Sequence, residues 1–378
     1  MKKNCFLIFF LVIYAFYGSD VHSQNLNRQI FKETERNNSR KMIQVPEIEG
    51  YLTLKGDFHM HTVFSDGSVW PDTRIDEAWS DGLDVIAITD HDQYHPNKDY
   101  LSTDNNIPFQ IASECAREKN ILLIHAFEIT RKMPPGHFNA WFVSDGNLPE
   151  LNDTSMQAFL TAIEKLAGQG AFIAWNHPGW AAQQKDTVKF FEIHQTLLQK
   201  GWLHGIEVFN EHEWYPVALE WAKTKNLAPF ANTDIHDAIP ATYNISPEFI
   251  RPMTLVFAKD RTLESIREAM FARRTVAWFN GHLAGSEKLL GELFDKSVRI
   301  RKISSANGKA KYQVSNPTDF IFNMKGLSKD WSKRVDIPGR SEVIITVPDQ
   351  LKTIRVELTN WHTGSTENLT KDINLTLD

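Results

Sequence analysis

Asp57-Phe58-His59-Met60-His61-Thr62-Val63-Phe64-Ser65-Asp66-Gly67 is the stretch on which the reading of this chain turns. His59 and His61 stand two residues apart, so on an extended backbone both imidazoles leave from one face and can grip one ion together. Four more clusters of the same chemistry follow: Thr89-Asp90-His91-Asp92, the segment from Glu128 to His137, Asn176-His177-Pro178, and Thr233-Asp234-Ile235-His236. Singly, each has a plain alternative: a solvated strand edge, a strand-ending turn with helix-capping carboxylates, a loop histidine bonded to backbone, an Asx turn. Together, such clusters have no structural need for so much histidine, and divalent cations account for it.

Working outward, from about residue 51 short apolar runs alternate with amphipathic stretches, the signature of βα units and a parallel sheet. Strands are expected over 56–59, 85–89, 121–128, 139–143, 172–176, 205–209, 229–233 and 254–258, and helices over 73–80, 111–119, 155–167, 188–199, 217–225 and 263–272. His59, Asp90, His91, Glu128, His177, Asp234 and His236 all fall at or just past the C-terminal end of an expected strand, where α/β barrel enzymes assemble their active sites. The order of elements is barrel-like.

From about 295 the texture changes to β-branched alternation over 298–303, 311–314, 343–347 and 354–358. Punctuated by Asn-Gly, Asn-Pro and Pro-Gly, it reads as a small antiparallel β-sandwich over 295–378. Gly281, Gly285 and Gly291 mark an expected linker over 281–296. At the other end, Met1-Lys2-Lys3, an apolar run from Cys5 to Tyr17 and Val21-His22-Ser23 have the three parts of a secretory signal peptide, 1–23. That run is shorter than the ~20 residues a span requires, so no membrane span is expected after cleavage and the address is periplasmic or secreted. Residues 24–50 read as a polar N-terminal arm. Of the two cysteines only Cys115 would survive cleavage, which excludes an intramolecular disulfide and a thiolate metal site. A formal charge of −6 lacks the basic footprint of a long nucleic-acid partner.

The pattern His-x-His-Thr-x-x-Ser-Asp-Gly at 59–67, Thr-Asp-His at 89–91, the strand-terminal Glu128, Gly136-His137-Phe138-Asn139, Asn176-His177-Pro178 and Asp234-x-His236 resembles the PHP domain, named for polymerase and histidinol phosphatase, over about residues 55 to 240. Gly136 to Ala140 and the run Gly205-Ile206-Glu207-Val208-Phe209-Asn210 resemble its secreted, CehA-like branch rather than the polymerase-associated one. The resemblance implies an α/β fold, a distorted TIM-like (β/α)7 barrel over 51–285, holding two or three divalent ions (zinc, manganese or iron) and hydrolysing phosphate esters. By the same pattern His59, His61, Glu128 and Asp234 would surround a first ion. Glu128 would bridge to a second that His137 and His177 also hold, and Asp66, His91 and His236 would hold a third. His125, three residues before Glu128 in an apolar run, points to the opposite strand face and is read as packed.

All nine donors are nitrogen or oxygen, which disfavours thiolate-seeking metals. The expected reaction is attack on phosphorus by a metal-bridging hydroxide, with Glu128, His177, Asp234 and His236 as the catalytic set. Arg131 and Lys132 are expected to reach a phosphate oxygen, against the plain reading of a solvated basic pair. Trp175, Trp180 and Trp214 either wall the pocket or pack in the core. The substrate expected is a small-molecule phosphomonoester or small phosphodiester. The alternatives are a carboxylic or carbamate ester on the same site, and a binding module whose metals are structural. Oligomeric state is not legible.

Overall fold

The computed structural model describes residues 39–48, 50–243 and 251–376. The expected signal peptide and the arm as far as residue 38 lie outside the described residues. Strands β1 (Leu52–Asp57), β2 (Val85–Ala87) and β3 (Leu122–Ile124) run parallel, with α1 (Pro71–Ser80) and α2 (Ile107–Glu118) as their crossovers. All three residues of β2 are buried and apolar, as a strand covered on both faces requires. Pro71 opens α1, where its fixed φ suits the helix and its missing N–H costs nothing.

The run 121–128, expected as one strand, is two. β3 stops at Ile124, and β4 (Ala126–Ile129) belongs to a second sheet with β5 (Phe138–Trp141), β6 (Phe172–Trp175), β7 (Gly205–Asn210), β8 (Glu213–Trp214) and β9 (Ala228–Asn232). The chain changes sheets at His125, whose ring stacks on Phe109 with centroids 4.4 Å apart. Both halves are apolar, so periodicity carries no mark of the break. Helices α3 (Met156–Gly168), α4 (Glu192–Gln199) and α5 (Pro216–Lys225) connect this second sheet. Ser155 caps α3 by accepting from Ala158 N. α4 starts later than the expected residue 188, where His194 Nδ1 accepts from Phe191 N at 3.0 Å.

Two parallel bridges knit the sheets, Met60 with Ile235 just past β1 and β9, and His91, past β2, with Glu128 inside β4. Around them Asp234 N donates to His59 O (2.9 Å), His61 N to Ile235 O (3.0 Å) and Glu128 N to Asp90 O (3.0 Å). The segments that carry the expected ligands are thus held by backbone pairing, not left as free loops.

After α6 (Ile239–Thr242), β10 (Met253–Ala258) pairs antiparallel with β1, and α7 (Leu263–Phe271), β11 (Thr275–Phe279) and β12 (His282–Gly285) follow. The linker expected over 281–296 is instead β12 and α8 (Glu287–Ser297), the latter capped by Ser286. Gly281, at φ 77°, makes the β11–β12 turn, and at Gly285 a Cβ would stand 2.9 Å from Val276 Cγ2. These glycines therefore mark a tight hairpin, not a break.

The tail forms β13 (Arg299–Ala306), β14 (Lys309–Asn316), β15 (Phe322–Gly326), β16 (Arg334–Ile337), β17 (Ser341–Pro348), β18 (Thr353–His362) and β19 (Asn368–Asn374). β13, β14 and β17 make an antiparallel sheet of their own. The other four differ from the expected sandwich: they extend the first sheet, because β12 pairs in parallel with β18 through Leu283 and Trp361. Tyr312, Val314, Ile345, Val356 and Leu358 are buried in the same core as Ile86 and Val208. The described end of the arm is tied down too, Asp319 N donating to Gln44 O at 2.8 Å and Arg40 pairing with Asp84 at 3.1 Å. No helix among the described residues is long and apolar enough to cross a membrane.

Candidate metal centre

The loop after β1 is moulded by carboxylates that are themselves fully engaged. Asp90 accepts from Thr62 N (2.7 Å), Thr62 Oγ1 (2.6 Å) and Ser65 Oγ (2.6 Å), so it shapes the turn that delivers Asp66. Asp57 does the same for the opposite segment, accepting from Thr233 N at 3.1 Å and pairing with Arg251. Beneath both loops lies Arg74, fully buried, donating to His61 O (2.9 Å), Ile235 O (3.1 Å), His236 O (2.9 Å) and Asp237 O (2.8 Å). His177 and Asp234 have positive φ, 26° and 50°. Such backbone is uncommon outside glycine and gathers at functional sites.

All nine expected ligands converge. Glu128, fully buried, faces five imidazoles: Oε2 lies 2.5 Å from His91 Nδ1 and 3.9 Å from His61 Nε2, while Oε1 lies 3.2 Å from His137 Nδ1, 3.4 Å from His59 Nε2 and 3.5 Å from His177 Nε2. Asp234 Oδ1 sits 3.1 Å from His59 Nε2 and 2.9 Å from His61 Nε2. Asp66 Oδ1 sits 3.4 Å from His91 Nε2 and 3.3 Å from His236 Nε2. Donor atoms within 4.8 Å of one another fall into three groups: His61, Asp66, His91, His236; His59, His61, Asp234; and His59, Glu128, His177. The grouping departs from the family pattern in three ways. His61 joins the third set, Glu128 is missing from the first, and His59 rather than His137 stands with Glu128 and His177.

The electrostatics are those of a place that wants cations. Burial alone would raise the Glu128 carboxyl, but His91, His137 and His59 hold it well below the carboxylate range. Burial is likewise overcome at Asp234, lowered by His59 and His61. On the basic side, burial opposes charge on His59, yet Asp234, Glu207 and Glu128 raise it well above an ordinary imidazole. His61 goes the other way, to about 3, through burial and then its neighbours His91 and His236. His59 Nε2, Asp66 Oδ1, Glu128 Oε2 and His137 Nδ1 are buried without a hydrogen bond of acceptable geometry. Unmet buried polar atoms are rare and call for a partner. Imidazole and carboxylate donors of this kind fit divalent ions.

One residue of this centre was not singled out from the sequence. Glu207 is a fully buried carboxylate in the otherwise apolar β7, with Oε1 2.9 Å from His59 Nδ1 and Oε2 accepting from His177 N at 2.7 Å. Asn232 (2.9 Å) and Asn210 (2.8 Å) donate to it. It fixes the ring of one candidate ligand and the backbone of another. The signal available was the cost of burying a charge in such a strand. Carboxylates behind metal-bound imidazoles typically contribute ~10–100-fold in affinity, so Glu207→Gln is expected to weaken divalent-ion binding by about that factor. Competition with a chelating indicator measures it, and wild-type affinity in the variant would show that His59 needs no carboxylate behind it.

Other expectations are corrected. Arg131 does not reach toward the cluster: it is buried, pairs with Asp92 at 2.8 Å and donates to Thr130 O (2.7 Å) and Leu151 O (3.2 Å). Its two terminal nitrogens are spent on structure, whereas Lys132 is exposed. Arg131→Met should therefore cost on the order of 3 kcal/mol of stability by stranding Asp92, while Lys132→Ala stays within about 0.5 kcal/mol. Denaturant titration of both variants decides; an Arg131→Met protein of normal stability but weakened substrate affinity would restore the phosphate-binding role. Trp175 is fully buried, stacked on His194 at 3.8 Å between centroids. Trp214 stacks on Phe209 and His362. Only Trp180 borders the cluster, edge-on to His177 at 5.4 Å.

Buried imidazoles and carboxylates gathered between two sheets make a cluster on an α/β fold whose donors fit divalent metal ions. No family model and no curated protein matches this chain. Among solved structures it is similar to a two-domain protein from Bacteroides vulgatus containing a predicted PHP-like metal-dependent phosphoesterase, at 41% identity and a TM-score of 0.84, over 89% of this chain and 99% of the other. A putative metal-dependent phosphoesterase from Bifidobacterium adolescentis is more distant, at 18% identity and a TM-score of 0.38, over 48% of this chain and 88% of that one. The chain belongs to the PHP-like metal-dependent phosphoesterase family.

Proposed function

We propose that this protein is an exported metal-dependent hydrolase of phosphomonoesters or small phosphodiesters, working on a distorted barrel with two or three divalent ions of the zinc, manganese or iron type. The observation that carries the reading is Glu128, one buried carboxylate facing five imidazoles, with Asp234 and Asp66 completing the anionic side. Export is supported by the basic start and apolar run of residues 1–23.

When bound, divalent ions supply Lewis acidity toward phosphoryl oxygens and bring the pKa of water down from 15.7 to roughly 7. The chain supplies the rest. Glu128, lying between the His59/His177 side and the His61/His91 side, would be a ligand to either side of the cluster. Asp234 and His59 would anchor the deep end, and His91, Asp66 and His236 the outer one. Arg74 and Glu207 keep these donors from relaxing. His236, its Nδ1 fixed by Asp234 O at 2.7 Å and its ring partly exposed, holds Nε2 3.3 Å from Asp66 Oδ1 at the more exposed side of the cluster.

The test is metal analysis of the purified protein together with turnover of nitrophenyl phosphate, bis-nitrophenyl phosphate and nitrophenyl acetate, with and without a chelator. Chelator-sensitive cleavage of a phosphate is expected. Cleavage of the acetate alone would replace this reading with a carboxylic ester hydrolase, and turnover indifferent to chelator would refute the metal role.

A further inference from the structure

The hairpin of β13 and β14 is strongly basic in a chain that is acidic as a whole. From Lys296 to Thr318 there are six lysines and arginines and no aspartate or glutamate, against a formal net charge of −6. Strand register decides where they stand. On β14 Ala310, Tyr312 and Val314 are buried, so Lys309 and Lys311 lie on the opposite, outer face. Directly across on β13, Arg301 stands opposite Gln313 and Arg299 opposite Ser315, which puts both arginines on that same face. Four exposed cations thus share one side of the sheet, and Lys302, also exposed, adjoins them on the edge strand.

Two ordinary explanations fall short. Charges often guard the open edge of a sheet, but the order here is β13-β14-β17, so Lys309 and Lys311 are on the central strand. Solvated faces usually mix signs. Lys325, Arg340 and Lys371 pair with carboxylates elsewhere in the tail, whereas among the described residues none of these five cations does. Glu342, across from Ser315 on β17, is held by the Gln313 amide and by Ser315 Oγ.

The face is not purely ionic. Ile344 of β17, opposite Gln313, is 64% exposed, and Ile303, at the bulge in β13, is 45% exposed. Cations set around solvent-facing isoleucines suit an anionic lipid surface, where headgroup phosphates meet the charges and the branched side chains reach past them. A dissolved acidic polymer would leave the isoleucines without a role.

We propose that the outer face of the β13–β14–β17 sheet docks this protein on membranes rich in anionic phospholipid. The contact is peripheral and independent of the hydrolytic chemistry.

The experiment sediments the full chain with vesicles of phosphatidylcholine alone or mixed with phosphatidylglycerol, at low and at physiological ionic strength. Any pull from residues 1–23 is then common to every sample. Binding is expected to favour the anionic vesicles and to weaken with salt. Arg301→Gln with Lys311→Gln should lower the partition coefficient about 25-fold, at roughly fivefold per charge, and Ile344→Ser by a few-fold. Near-ultraviolet circular dichroism checks that each variant is folded. Lys98→Gln with Lys259→Gln removes two exposed charges elsewhere and should change little. Equal binding to both vesicle types, undiminished binding by the Arg301/Lys311 variant, or an equal loss in the Lys98/Lys259 variant overturns the proposal. Retention on immobilised heparin without vesicle binding overturns it as well, and assigns the face to an acidic polysaccharide.

Discussion

A Glu128→Gln protein is expected to lose most of its divalent metal and to hydrolyse phosphate esters at least ~1,000-fold more slowly, since each tenfold corresponds to about 1.4 kcal/mol and metal charge stabilisation is worth several. The substitution keeps shape and removes one charge. Asn176 Nδ2, which donates to Oε1 at 2.7 Å, can go on doing so to the new amide oxygen. The five imidazoles around the position then face a neutral group, and Asp234, 3.1 Å from His59 and 2.9 Å from His61, is left as the carboxylate touching both halves, without reaching His91 or His137 as Glu128 does. Metal analysis, kcat and the near-ultraviolet circular dichroism of the same preparation separate lost chemistry from lost fold. A variant that retained both metal and turnover would mean that the centre lies elsewhere.

Arg74→Met is expected to lower the unfolding free energy of chelated protein by on the order of 3 kcal/mol, because it strips donors from buried acceptors instead of removing a surface pair. Four carbonyls lose a donor, of which Ile235 O keeps His61 N and His236 O keeps Ser68 N, and Glu77, 2.8 Å from the guanidinium, loses its ion pair. Two of those carbonyls belong to His61 and His236, so activity should fall along with stability. Lysine cannot rescue, since one ammonium lacks the planar fork that spans both loops. Denaturant titration gives the stability, and a change below about 0.5 kcal/mol, the scale of an ordinary surface substitution, would show that the loops hold themselves.

The clustering of these imidazoles and carboxylates was legible because their spacing obeys simple rules. His59-x-His61 needs only period two, and Asp234-x-His236 repeats it on the segment that bridges to it. Placement of these residues at strand ends was legible for the same reason. What escaped depends on partners far along the chain. Nothing local shows that 121–128 divides between two sheets, since both parts are uniformly apolar. Arg131 carries a charge that suggests phosphate until Asp92 is seen beside it. The left-handed backbone of His177 and Asp234 is imposed by tertiary context on residues with no glycine to announce it. The glycines that do stand out, at 281 and 285, were misread because a hairpin and a linker share composition.

The parallel seam between β12 and β18 has a practical consequence for anyone dissecting this molecule. Stopping translation near residue 295 would bare the hydrogen-bonding rim of Leu283 and Ala284, normally covered by Trp361 and His362. An uncovered strand rim is an invitation to self-association. The catalytic piece cannot be excised cleanly, and an expression plan should carry the carboxyl-terminal strands along as a fitted lid on that sheet.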